Sequence, residues 1–309
     1  LDRFDVDVDP ERALDFFVDC RASLGNIDST VAWTVSRVCA LGYSIVRRGA
    51  NSRTAASFLR ACIANAFITI ASLSNVVHKI QLYIETGMLA LFVNSLPQKY
   101  SIQADAIVKC CIELLAASQE VTVCEYRQAA SSFLAFLLFV PDSPTKAPLY
   151  MFNAFLNATA RYVWGNECIE RGRLFIDCLR YLSAMAQTDL PYRIGYSQCN
   201  DAIYGSSVEF MEAIKEKADV VIGQLEELYN QHGDKSITFA IELLETIISI
   251  GDIQALGSLV IELYAKCTVR NETRERRRCV RERIAKRATN SAPVQSVYKT
   301  ICELESRSK

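Results

Sequence analysis

Histidine, proline and glycine are all scarce in this chain: two, seven and twelve in 309 residues. A sandwich or a parallel-sheet protein of that length needs more turn residues, so the shortage argues against a β-rich fold. The only histidines, His78 and His232, lie far apart, which leaves little for histidine-based acid–base or nucleophilic chemistry. There is no GxGxxG turn, no GxxxxGK[ST] phosphate loop and no GxSxG elbow. Charge of one sign is lacking as well. The formal net charge is −1, so no global field draws in nucleic acid or an acidic membrane. No apolar run reaches the roughly 18 residues that span a bilayer. The densest, Phe133 to Val140, stops at Pro141 and reads as the buried end of a helix. Twelve cysteines include no CxxC pair, only the adjacent Cys110–Cys111. Metal-ligand spacing is therefore missing, and buried free thiols in a reducing compartment are expected. The opening residues, LDRFDVDVDPER, are acidic and unlike a secretory signal, and the start at Leu1 reads as a point inside a longer protein.

What is abundant is apolar sequence at helical spacing. From Asn51 to Leu73, the residues Ala55, Phe58, Leu59, Cys62, Ile63, Ala66, Phe67 and Ile70 recur at i, i+3, i+4 and i+7. Asn51 or Ser52 can cap the first turn. Arg60, Asn65, Thr69 and Ser72 fall off the stripe, and Ala56, Ala61 and Ala64 widen it with small residues. A helix with one greasy face is not stable alone, so neighbours must cover it.

The rest of the chain supplies them. Helices are predicted over 10–24, with Asp9 as N-cap and Gly25 as stop, and over 26–48, capped by Asn26. Further helices follow over 75–85, a break at Thr86-Gly87, then 88–96, 102–118, 125–139, 148–164 and 167–187. The last two hinge at Gly165-Asn166. The pattern resumes over 208–231, 237–250, 253–267, 270–287 and 294–305, with Gly251 as a left-handed stop and Asp252 as a cap. Only short stretches such as Glu120 to Cys124 could be strands. Paired helices of roughly 20 residues joined by short loops match an all-α, HEAT-like α-solenoid of stacked antiparallel pairs, continuous over 1–309.

Three features are candidates for function. Residues 188–206 carry no helical period and hold Pro191, Gly195, Gly205 and three tyrosines. A long irregular segment in a helical protein is a natural contact surface, and Tyr192, Asn200, Asp201 and Tyr204 are its candidate partner-binding residues. Asn200 and Asp201 can equally cap the loop's own backbone, and Tyr204 can anchor it. The second feature is the basic helix 270–287, with Arg270, Arg274, Arg276, Arg277, Arg278, Arg281, Arg283, Lys286 and Arg287 relieved by Glu272, Glu275 and Glu282. It could face nucleic acid or anionic lipid, which would make the chain a HEAT-type nucleic-acid or translation scaffold. It has no interleaved aromatics, and its acids can pair with its arginines, which favours a solvated or protein-facing helix. The third is the carboxylate pairs Glu226-Glu227 and Glu242 with Glu245, expected to be solvated on helix faces.

Asn51-Ser52-Arg53-Thr54-Ala55-Ala56-Ser57-Phe58-Leu59-Arg60-Ala61-Cys62 and Phe67-Ile68-Thr69-Ile70-Ala71-Ser72-Leu73 resemble a signature of the vacuolar protein sorting-associated protein 35-like family. The likeness continues at Leu82-Tyr83, Gly87 and Ala90-Leu91, and at Leu24-Gly25-Asn26-Ile27-Asp28-Ser29. It recurs at Val140-Pro141-Asp142-Ser143-Pro144, Leu182-Ser183-Ala184-Met185-Ala186-Gln187, Asn200-Asp201, Tyr204-Gly205 and Gly251-Asp252. Residues 97–121 and those after Cys267 depart from the pattern. The resemblance implies the C-terminal part of the large α-solenoid subunit of Retriever, within Commander: a non-enzymatic scaffold without cofactor or metal. It implies a cytoplasmic protein, peripheral on endosomes, serving the return of membrane cargo to the cell surface. It further implies vacuolar protein sorting-associated protein 29, which has a phosphodiesterase fold, as the partner held by this region. The arrestin-like third subunit would bind a more N-terminal region, with the coiled-coil CCC complex and a sorting nexin cargo adaptor as indirect partners, and no nucleic acid.

Overall fold

The computed structural model describes residues 9–48, 53–94, 104–140, 147–166, 168–186, 207–232, 237–251, 253, 256–269, 271–289 and 291–307. Among the described residues there are thirteen α-helices, one short 3-10 turn and no strand, so the fold is all-α, as expected. No helix among them is long and apolar enough to cross a membrane. The chain forms two compact units, residues 1–163 with 188–210, and residues 164–187 with 211–309.

The first unit holds α1 (Pro10–Leu24), α2 (Asp28–Arg47), α3 (Arg53–Ile70), α4 (Val76–Asn94), α5 (Ala104–Ala117), α6 (Val123–Leu137) and α7 (Tyr150–Ala160). From α1 to α6 each helix packs on its sequence neighbour, Phe133 of α6 meets Phe155 of α7, and alternate helices also touch: α2 on α4, α4 on α6, α1 on α3 and α5 on α7. That is the two-layer stacking of an α-solenoid, with even helices in one layer and odd helices in the other. Val31, Val35 and Val38 of α2 and Leu59, Cys62, Ala66 and Ile70 of α3 are buried between the layers. Further along, Phe133, Phe152 and Phe155 pack ring to ring, and Tyr126 stacks on Tyr162 at 3.8 Å.

The sequence pattern is right about the helices and wrong about several of their details. Asn65 and Thr69, read as lying off the α3 stripe, are buried, whereas Ala61 and Ala64 are exposed. Thr69 can go inside because its hydroxyl donates to the Asn65 carbonyl (2.5 Å) and so takes its partner from its own helix. Thr86-Gly87 does not break the chain: α4 runs straight through it. A Cβ at Gly87 would sit 2.5 Å from Phe136 Cζ, so this glycine permits a close helix crossing and makes no turn. Gly42 does the same against Leu89. Glu120 to Cys124 is not a strand. Thr122 caps α6, accepting from the Glu125 N–H (3.4 Å) while its hydroxyl donates to the Glu125 carboxylate (2.6 Å). Asp9 caps α1 through the Arg12 N–H (3.1 Å), but α2 starts behind Ile27 with no side-chain cap, so Asn26 does not serve. Asn51 and Ser52 lie outside the described residues.

The second unit holds α8 (Cys168–Met185), most of α9 (Val208–His232), α10 (Ile237–Ile250), α11 (Gly257–Cys267), α12 (Arg274–Ala288) and α13 (Ala292–Arg307). The same alternation recurs, with α8 on α10, α10 on α12, and α11 on α13. The apolar core comes from α10 (Phe239, Ile241, Leu244, Ile248), α11 (Val260, Leu263) and α13 (Val294, Val297, Ile301). Helix α11 begins at Gly257, later than the expected Ile253. Close packing explains the glycine, since a Cβ there would lie 2.9 Å from Val297 Cγ2. Gly251 is not left-handed. Among the described glycines only Gly165 has a positive φ, +54°, beside the point where the two units divide.

Candidate functional site

The arginine-bearing helix is where sequence chemistry is densest, and its apolar stripe is thin. Only Val280, Ile284 and Ala288 of α12 are buried aliphatics, one residue per turn. Arg277 lies on the same inward face and is buried. Its Nη1 donates to Glu305 Oε2 (2.5 Å) on α13 and its Nε to Thr273 Oγ1 (3.2 Å). Tyr264 of α11 donates to the same Glu305 oxygen (2.8 Å), and Thr273 donates to the Cys267 carbonyl (2.6 Å). Burial, the hydrogen bond to Glu305 and its charge all push the Tyr264 hydroxyl up, so it stays a donor. One buried carboxylate thus joins three helices.

The adjacent face of α12 is committed to α10. Arg276 forks onto Glu245, Nε to Oε1 (2.8 Å) and Nη2 to Oε2 (2.6 Å). Arg283 Nη1 donates to Ser249 Oγ (3.0 Å). Arg287 donates to the carbonyls of Ile248 (2.7 Å) and Gly251 (2.9 Å), at the C-terminal end of α10 where carbonyls face out of the helix. A cation from another helix does the work expected of a left-handed glycine. On its other side, α10 receives Arg173 of α8, which forks onto Glu242 (2.9 and 3.0 Å) and also holds Glu170 (2.7 Å). Glu242, Glu245 and Ser249 recur at i, i+3 and i+7, so one stripe of α10 is cross-linked to both neighbours. The expectation that Glu242 and Glu245 are solvated is therefore overturned: each accepts a bidentate arginine from another helix.

Of the remaining cations of the helix, Arg281 is half-buried. Arg278 lies between Glu275 (3.7 Å) and Glu282 (3.6 Å), and Arg274 and Lys286 are exposed. Arg270 lies outside the described residues. Arg276, Arg277, Arg283 and Arg287 commit one side of the helix to its own unit.

Tyr192, Asn200, Asp201 and Tyr204 all lie outside the described residues, as does the whole of 188–206. His78 is half-buried in the first turn of α4, where its backbone N–H donates to Asn75 Oδ1 (2.8 Å), and His232 is the last residue of α9. Among the described residues no three His, Cys, Asp or Glu side chains are grouped so as to hold a metal ion. Cys20, Cys39, Cys62, Cys111, Cys178 and Cys267 are buried thiols, and burial pushes Cys39 and Cys62 up to about 12. Cys124 and Cys279 are exposed.

Sequence reasoning missed Glu305, although a signal existed. It follows Val294, Val297 and Ile301 on the buried stripe of α13, and an acid on an apolar stripe requires an internal cation.

The sequence that builds these helices matches a known family. The profile of the VPS35L C-terminal domain matches residues 1–309. The chain belongs to the VPS35L family, as its C-terminal domain. Curated relatives named VPS35 endosomal protein-sorting factor-like include one from Danio rerio, 30% identical over 274 residues. Others are from Dictyostelium discoideum, 28% over 287 residues, and Homo sapiens, 28% over 274. The alignments cover 83%, 85% and 83% of this chain, yet only 28% of each relative's own length. This VPS35L domain therefore spans less than a third of the proteins it resembles.

Proposed function

We propose that this domain is a non-enzymatic scaffold module of an endosomal protein-sorting factor of the Retriever type. It would hold the phosphodiesterase-fold subunit, vacuolar protein sorting-associated protein 29, during the return of membrane proteins from endosomes to the cell surface. The observation that carries the reading is the family match over residues 1–309, together with relatives whose names state endosomal sorting. The two-layer helical stacking fits a part whose work is geometric, since a pre-formed surface binds without ordering itself first.

On this reading the domain works on the cytoplasmic face of endosomes. The arrestin-like third subunit would attach to the part of the protein outside this chain, with the CCC complex and a sorting nexin adaptor as neighbours. The two units would join as one solenoid, and Tyr192, Asn200, Asp201 and Tyr204 of 188–206 would supply partner contacts. A nucleic-acid role finds no support in α12, where Arg276, Arg277, Arg283 and Arg287 are bonded inside the unit.

The test is direct. The purified domain and the purified phosphodiesterase-fold subunit are mixed and read by light scattering and calorimetry. A 1:1 complex that weakens at least tenfold with Tyr192→Ala and Tyr204→Ala is expected. A folded domain that forms no complex at high micromolar concentration overturns the reading.

A further inference from the structure

In the second unit, each carboxylate on the cross-linked stripe of α10 has its arginine. The corresponding seam of the first unit, between α2 and α4, is built differently. Glu85 of α4 is half-buried there, and its Oε2 accepts from Ser36 Oγ of α2, at 3.3 Å. Tyr43, two turns along α2, donates to the Glu85 backbone carbonyl (3.1 Å), and Cys39 contacts Thr86 (3.5 Å). No lysine or arginine among the described residues pairs with this carboxylate. Arg37, the nearest arginine along α2, is stacked on Trp33, with Cζ 5.5 Å from the ring centroid. The helices cannot slide to change this, because Gly42 meets Leu89 at close range in the same seam.

We infer that Glu85, with Ser36 and Tyr43 beside it, is a receptor for a lysine or arginine side chain carried by a partner protein. The argument is charge complementarity in a fixed frame. A half-buried carboxylate can accept several charge-assisted bonds, and the protein bond it receives here comes from a neutral hydroxyl. Its partly lost hydration is a cost the isolated domain carries, and an incoming cation recovers it. Burial also raises the Glu85 carboxyl above its ordinary value, opposed only by the Ser36 bond. A fixed seam carrying one carboxylate without a described cation favours a partner that brings the opposite charge and penalises one that brings an acid. The inference rests on the scaffold reading only in expecting a protein to deliver the cation.

The experiment needs no knowledge of which protein that is. The whole domain, with its glutamate carboxyls carbon-13 labelled and its backbone amides nitrogen-15 labelled, is titrated with acetyl-Gly-Arg-Gly-amide and, separately, with the same peptide carrying citrulline. The arginine peptide should give a saturating shift of the Glu85 carboxyl resonance and should lower its titration midpoint. Citrulline should do neither, and the exposed Glu209 should not respond. Glu85→Gln keeps the shape and the Ser36 contact. It should melt at or slightly above the parent temperature while peptide-induced shifts at neighbouring Ser36 and Tyr43 disappear. Equal responses to both peptides, a Glu85 response no larger than that of Glu209, or undiminished shifts in Glu85→Gln would each overturn the inference. Failure of the phosphodiesterase-fold subunit to bind would count against the proposed function and leave this titration intact.

Discussion

Arg277 Nη1 and Glu305 Oε2 lie 2.5 Å apart, in side chains only 4% and 10% exposed, and they tie α13 to α12. Removing one partner strands the other in a dry site. Glu305→Ala is expected to cost about 3–5 kcal/mol, measured by urea denaturation. Replacing the whole cluster by apolar side chains, Arg277→Met with Tyr264→Phe and Glu305→Leu, should return most of that stability. A triple variant as unstable as Glu305→Ala would mean that the bonds themselves, and not relief of an unpaired charge, hold α13.

Arg287 tests the view that α12 is latched to α10 by charge. It caps two carbonyls at the end of α10, so Arg287→Ala should destabilise the second unit by about 1–2 kcal/mol. Arg274→Gln, at an exposed position, should change stability by no more than about 0.5 kcal/mol. If both variants melt alike, α12 is held by Val280 and Ile284 alone.

Gly87→Ala would drive a methyl group into the Phe136 ring, at 2.5 Å. A loss of about 1–3 kcal/mol is expected. Phe136→Leu should cost stability on its own, but in combination the two should cost less than their sum, because the smaller side chain makes room. Strict additivity would show that the close crossing of α4 and α6 is not what selects glycine.

The pH dependence of the first unit has a defined sign. Burial lifts the Glu85 carboxyl above 4.5, so the folded chain holds that proton more tightly than the unfolded one. Its contribution is therefore greatest at acid pH and is lost as pH rises from about 4.5 through the folded value. Asp28 runs the other way. The Ser74 hydroxyl and N–H hold it below 3.8, so its contribution is present above that value and disappears on further acidification. Urea midpoints between pH 4 and 8 should show a downward slope with rising pH that Glu85→Gln flattens.

Thiol chemistry follows burial. Cys124 and Cys279 should react with a disulfide reagent within the mixing time in native conditions. Cys39 and Cys62, raised to about 12 and enclosed between helices, should react only at the rate of unfolding. Rapid modification of Cys62 would contradict the packing of α2 on α3.

The sequence by itself determined the helices and most of the apolar residues that each one buries. Apolar residues three and four apart can lie together only on a helix, and this is a local property, legible at Val31, Val35 and Val38 as at Leu59, Cys62 and Ala66. It also determined the family, through short blocks kept in order. Tertiary structure decided what each charge and each glycine is for. Glu242 and Glu245 look solvated until Arg173 and Arg276 arrive from other helices, and Gly87 looks like a break until Phe136 lies against it. Those assignments depend on residues distant in sequence approaching within a few ångströms, and a one-dimensional pattern holds no record of that distance.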